Sequence, residues 1–472
     1  MMPKQSTHGE IARGEKQFGA LGPTRVDSVL FFLLLIIPML SMAAFGAVDM
    51  WAFGMLAIFA AGILSLWFFD AKGTGSFRFS SDLLQLPLIA MIGLGLFQLL
   101  PLGGENIESL SISPVGSLSL DPYSTRIFVV QLVIYLAFLA AALQFINTAG
   151  RIKKAVIAIL IYGALMAFFG ILQKLADPGA IYGVRPTPQA ISFGPLVNQH
   201  HFAAFMEMFS GLAFGLLLGG GVMRDKRPVL LIAAMLSVLA LLFTGSRGGV
   251  LSFFGVALFA FAASRIFTVK NNATGSFGSS GKLTILAAGA AFLLVVVGLA
   301  SYLGAENSML RGMGLSSGEA DITSGRAHFW HTALDIFLAN PIIGAGLNAF
   351  GVAYTRFDTQ NGLYRVEQAH NDYLQMLADG GIIGFLITAA FVVLLFRGAL
   401  RAIANRRDDF SRSAAIGAMA GCFGILIHSF FDFPLRTPAN AFFFLLLAAV
   451  ATAELNNSDK LEDAAGVIRR VQ

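Results

Sequence analysis

In this chain of 472 residues, 56% are hydrophobic, only 12% are charged and 44 are phenylalanine, which leaves too few polar side chains to cover a water-soluble globule. A mean hydropathy of +0.74 points to a bilayer, so the net charge of +5 reads as orientation and contact with lipid headgroups, not as a nucleic-acid surface. The single cysteine, Cys422, excludes an intrachain disulfide and a thiolate metal cluster.

The first twenty-five residues are polar and lack a cleavable signal pattern, so the first apolar run is expected to be a retained span. Windows long enough to cross about 30 Å of hydrocarbon follow near residues 29–48, 50–69, 83–102, 127–146, 154–174, 202–222, 228–244, 248–267, 283–303, 380–398, 412–432 and 438–455. They predict an all-α polytopic membrane protein with about twelve transmembrane helices. The chain divides into a tail at 1–28, nine spans over 29–303, a large loop with amphipathic helices at 304–379, three spans over 380–455 and a second tail at 456–472. The stretch NNATGSFGSSG at 271–281 reads as a flexible linker.

Lysine and arginine in short loops set orientation. With the N-terminus in the cytoplasm, KGTGSFR, GRIKK, MRDKR, SRIFTVK and RGALRAIANRR all fall inside, and both tails are cytoplasmic. The connections at 103–126, 175–201 and 304–369 then face outward. Of seven histidines, only His8 is inside; His200, His201, His328, His331, His370 and His428 lie in outer loops or at outer span ends. Outer cations are Arg126, Arg185, Arg247, Arg311, Arg326, Arg356, Arg365 and Arg436, with Lys174 the one lysine. A topology signal needs no such preference, whereas a phosphate-binding surface does, because the guanidinium fork donates two parallel hydrogen bonds.

In EQAHNDYLQMLADGGIIGF at 367–385, a helix starting near Ala369 would put His370, Tyr373, Leu374 and Leu377 on one face. Gly380 and Gly381 would end or kink it before Ile382. An imidazole ordinarily titrates near 6.5, about the right value for a base at neutral pH; simple packing on aromatics is the alternative. Arg247 sits among glycines in TGSRGG, and Arg326 opens SGRAHFWHTALDIF, whose Phe329, Ala333, Ile336 and Phe337 make an interfacial amphipathic helix. Headgroup contact would account for either arginine. Asn198, His200 and His201 mark an outer helix start, as pocket or as packing. His328 and His331 are three apart, but no carboxylate-rich set accompanies them, so neither a metal site nor a cofactor is expected. Asp432 and Arg436 are close enough in sequence to pair with each other at the outer surface, a structural role, with a functional role as the alternative. Glu207 is the main charge inside a span, which keeps a transporter or flippase as an alternative. GxxxxGK[ST] does not occur, and no outer aspartate pair has the spacing that a nucleotide-sugar transferase's metal needs.

The residues His370, Asn371, Leu374, Leu377, Asp379, Gly381 and Gly384 form a signature, joined by VNQHHFAAFME at 197–207, TGSRGG at 244–249, SGRAHFWHTALDIFLANPIIGAGLNAF at 324–350 and HSFFDFPLRTPANAF at 428–442. On these pieces the chain, from about 190 to 445, resembles the bacterial O-antigen ligase and O-antigen (polysaccharide) polymerase superfamily of membrane glycosyltransferases. The resemblance implies a GT-C-like fold with one large periplasmic loop before the last three spans. It also implies metal-independent, inverting transfer of an undecaprenyl-diphosphate-linked glycan to a sugar hydroxyl at the outer face of the bacterial inner membrane, in lipopolysaccharide or exopolysaccharide synthesis. His370 would be the catalytic base and Arg247 and Arg326 the donor-diphosphate ligands. Asn198, His200, His201, Asn371 and Asp379 would line the pocket. The acceptor would be a glycan, for a polymerase, or a lipid A core sugar, for a ligase; the 428–442 segment looks somewhat more like polymerases.

Overall fold

The computed structural model describes residues 24–102, 116–176, 179–188, 190–269, 326–359 and 366–455. Hydrocarbon offers no partners for backbone polar groups, so apolar segments of this length satisfy them internally as helices. In chain order these are α1 (Arg25–Ala43), α2 (Met50–Thr74), α3 (Gln85–Gln98), α4 (Pro122–Phe145), α5 (Ala149–Ala176), α6 (Gln199–Leu218), α7 (Arg227–Thr244), α8 (Arg247–Val269), α9 (Arg326–Ala339), α10 (Phe350–Phe357), α11 (Asp372–Asn405), α12 (Asp409–His428) and α13 (Pro438–Thr452), with a two-residue hairpin, Ala180–Ile181 and Arg185–Pro186, before α6. Among the described residues nine helices are long and apolar enough to cross a membrane, and two shorter ones, α3 and α13, are also apolar. These eleven coincide with eleven of the expected windows, and the chain is an all-α polytopic membrane protein. The window at 283–303 lies outside the described residues, as do the linker at 271–281, His8, Arg311 and Arg365.

At the centre, α6 and α12 are the most buried of the long spans. They touch backbone to backbone: a Cβ on Gly211 or Gly215 would collide with the main chain of Gly417 and Gly421. Small residues permit this approach, which lipid-immersed helices use in place of a hydrophobic driving force. α13, buried along its whole length, fills the neighbouring space with Phe442, Phe443 and Leu446.

Two clusters tie the ends that carry the basic loops. Arg78 donates to Asp27 Oδ1 and Asp70 Oδ2, each at 2.6 Å. Arg406 donates to the carbonyls of Ser411, Val450 and Ala453, joining α11, α12 and α13. At the opposite end the segments around residues 46, 98, 119, 196–201, 246, 345, 370 and 432–437 meet one another.

The start of α11 differs from the expected helix at Ala369. Asn371 is its cap, accepting from the amides of Tyr373 and Leu374, and His370 lies before the helix with φ +51. His370 therefore does not share a helical face with Tyr373, Leu374 and Leu377. The glycine pair does kink the helix: Gly381 adopts φ 61 and ψ −162. The freed groups bind the segment 340–346, with Ala345 N donating to Ala378 O at 2.8 Å and Ile382 N to Pro341 O at 2.9 Å. A Cβ on Gly381 or Gly344 would fall on the facing backbone. Between α8 and α11 in the chain, α9 and α10 bury Ala333, Ile336, Phe350 and Tyr354 together with Ala369 and Ala378.

Candidate functional site

His370 Nδ1 donates to Asp432 Oδ1 at 3.1 Å. The carboxylate is almost wholly buried, while the imidazole keeps 29% of its side chain exposed. A carboxylate on Nδ1 fixes the proton there and leaves the Nε2 lone pair to accept another. The left-handed backbone at His370 turns the ring out of the helix, at a cost other residues must cover. Two aromatics hold it: Phe433 edge-on at 4.8 Å and Phe329 stacked at 6.1 Å.

Asp432 follows the end of α12, its amide donating to His428 O at 3.0 Å. Burial alone would raise its carboxyl pKa, but the His370 hydrogen bond and the neighbouring imidazoles of His200 and His201 hold it well below the usual carboxylate range. Its second oxygen, Oδ2, lies 3.9 Å from Arg326 Nη2 and accepts no hydrogen bond. Arg326 opens α9, and one turn later the same helix supplies Phe329. The amphipathic helix of the sequence thus delivers a guanidinium and a ring to the same dyad.

Arg247 opens α8, after the left-handed Gly245 that ends α7. Ser246 Oγ accepts from Gly249 N and shares a hydrogen bond with His200 Nδ1 at 2.9 Å. Gly248 sits so close to Phe431 that a Cβ would overlap it. The TGSRGG turn is therefore seated between the start of α6 and the residue preceding Asp432.

The remaining expected pocket residues divide. His201 packs edge-on against Phe433 at 4.8 Å, the ring that also meets His370, and bonds Thr437 through Nδ1 at 2.6 Å. Asn198 and Asn371 act as helix caps. Asp379 is turned away from His370: its Oδ2 accepts from Arg436 Nη2 at 2.9 Å and from Asn348 N at 3.2 Å. An Asp432–Arg436 pair does not form: Asp432 meets His370, just before α11, and Arg436 meets Asp379, within it. Arg185 is likewise engaged, with Asp49 at 2.8 Å, so the outer arginine excess is partly structural. His328 pairs with Asp358 at 2.9 Å.

Beside the dyad, a cavity of about 220 Å³ lies between α3, α4, α11 and α13. Met91, Leu132, Met376, Phe391 and Leu445 line it, and Asp372, Ser429 and Arg436 add polar groups. Asp372 and Ser429 are bonded to each other, the one two residues after His370 and the other three residues before Asp432.

Residues 232–389 match the family model described as O-antigen ligase. This match supports a likeness to the O-antigen ligase and polymerase superfamily over that stretch. No curated protein matches the chain. The matched stretch runs from α7 into α11 and contains Arg247, Arg326 and His370. His200, His201 and Asp432 lie outside it, yet the fold brings them to the same place.

Sequence reasoning missed the Asp432–His370 pairing and the ring of Phe433. The available signal is HSFFDFPLRTPANAF itself, in which Arg436 is the nearest cation to Asp432 in sequence while His370 is its partner in the fold.

Proposed function

We propose that the protein transfers a glycan from undecaprenyl diphosphate to a sugar hydroxyl at the outer face of the bacterial inner membrane. The observation that carries this reading is the buried Asp432 carboxylate on Nδ1 of a partly exposed His370, with Arg326 at its second oxygen. The acceptor oxygen attacks the anomeric carbon from the face opposite the leaving group. The carbon–oxygen bond to the diphosphate breaks, the acceptor's proton passes to His370 Nε2, and undecaprenyl diphosphate leaves. Inversion follows from this single displacement.

Arg326 and Arg247 stabilise the charge that builds on the departing diphosphate, where a bidentate guanidinium is worth more than an ammonium. The Asp432 carboxylate stabilises the imidazolium that forms and keeps the ring in the productive tautomer. The cavity beside Asp372 suits part of an isoprenoid chain, since its wall is almost entirely apolar. In this reading the transfer is metal-independent, and the loop charges favour both termini in the cytoplasm.

We favour the polymerase, with another lipid-linked glycan as acceptor, on the character of the 428–442 segment. The ligase, passing polymer to a lipid A core sugar, is the second reading, favoured by the description of the matched family. The test is the glycan left in a deletion strain. Single repeats support the polymerase; full-length polymer on the carrier lipid with a bare core supports the ligase; unchanged glycan overturns both.

A further inference from the structure

We infer that Glu207 is a positioning residue for the candidate base, acting through His428 and the turn that carries Asp432. The inference rests on the proposed role of His370. Glu207 lies within α6 and His428 is the last residue of α12; both are buried, and His428 Nδ1 donates to Glu207 Oε1 at 2.7 Å. The other oxygen, Oε2, is buried without a hydrogen-bond partner. An acid in such surroundings is costly, and a well-packed apolar residue would serve stability as well or better. Its presence there calls for another account, and the geometry supplies one.

The carbonyl of His428 accepts from Phe431 N at 2.8 Å and from Asp432 N at 3.0 Å. The turn bearing Asp432 thus hangs from the residue whose ring Glu207 holds. Asp432 in turn holds His370. The links run Glu207 to His428, His428 to the backbone of Asp432, and the Asp432 carboxylate to His370. α6 reaches the same place a second time through His201, which meets His370 across the shared ring of Phe433. The tight glycine contact of α6 with α12 makes this frame rigid. A displacement of about 1 Å at a reacting group can cost up to about a hundredfold in rate, so loosening the His428 ring should be felt at His370.

Three variants of the full-length protein in detergent or liposomes test this. Glu207→Leu removes the acceptor, Glu207→Asp keeps the charge but shortens its reach, and Glu207→Gln keeps an acceptor oxygen in place. Two readouts are taken: kcat and KM for the lipid-linked donor, and the rate at which diethyl pyrocarbonate modifies His370, followed by peptide mass. The second needs no turnover, so it stands even where the proposed transfer is not observed. Expected for Glu207→Leu and Glu207→Asp are a fall in kcat of about tenfold or more at unchanged KM and an altered His370 modification rate. Glu207→Gln should restore both. Should Glu207→Leu fail to fold, Glu207→Asp decides alone. Unchanged kcat and unchanged His370 reactivity in Glu207→Asp overturn the inference. A lowered melting temperature with both readouts unchanged also overturns it, making the pair structural only.

Discussion

His370 and Asp432 are 62 positions apart and meet at 3.1 Å, and each has a distinct expected phenotype. His370→Ala should abolish transfer while leaving the protein folded in the membrane, since a general base supplies about 10²–10⁴-fold and this ring carries no helix. Asp432→Asn should lower kcat by about a hundredfold or more, because an amide orients the ring but cannot stabilise imidazolium; wild-type kcat in that variant would remove the dyad from the mechanism. Asp432 also predicts a pH signature. Its carboxyl is held below the ordinary value, so its stabilising contribution is complete above the unfolded pKa of about 4 and is lost only as pH falls further. The difference in melting temperature between wild type and Asp432→Asn should persist down to pH 5 and shrink below about pH 4. Lysine at position 247 or 326 should impair transfer, since charge without the fork is a poorer partner for diphosphate; full activity in both lysine variants would reduce these arginines to headgroup contacts.

At the scale of elements, the break in α11 is the feature most exposed to substitution. Gly381→Ala places a Cβ on the Ile342 carbonyl at a positive φ, so it should lower the melting temperature and the yield of inserted protein. Arg436→Leu leaves Asp379 buried without its cation and should cost about 3–5 kcal/mol; thermal denaturation in detergent reads both. The glycine pair was legible as a kink because two adjacent glycines rarely continue a helix. Its partner was not, since the segment around Gly344 and Ala345 reaches it only through the tertiary fold. Apolar windows announced eleven helices, because hydropathy reports directly on the solvent around a span. The helix start at Asp372 was missed for a local reason: Asn371 is a better cap than Ala369, and capping moved His370 out of the helix. Asn198 and Asn371, pocket residues by their neighbours in sequence, also cap α6 and α11 through their side-chain oxygens.

Across the described residues, the chain gathers its histidines at one end of the bundle and its basic clamps at the other. Loop charges made this division legible, since the alternation of ends follows from counting spans. The cavity between α3, α4, α11 and α13 was not legible, because no periodicity records which lipid-facing surfaces fail to meet. Met91→Trp should fill part of it, raising KM for the lipid-linked donor while sparing the His370 modification rate. The most direct measurement reconstitutes purified protein in liposomes with an undecaprenyl-diphosphate-linked glycan and follows release of undecaprenyl diphosphate together with growth of the glycan. Coupled release and growth are expected in the wild type and neither in folded His370→Ala. Equal release and growth in His370→Ala would contradict the role of His370 as base.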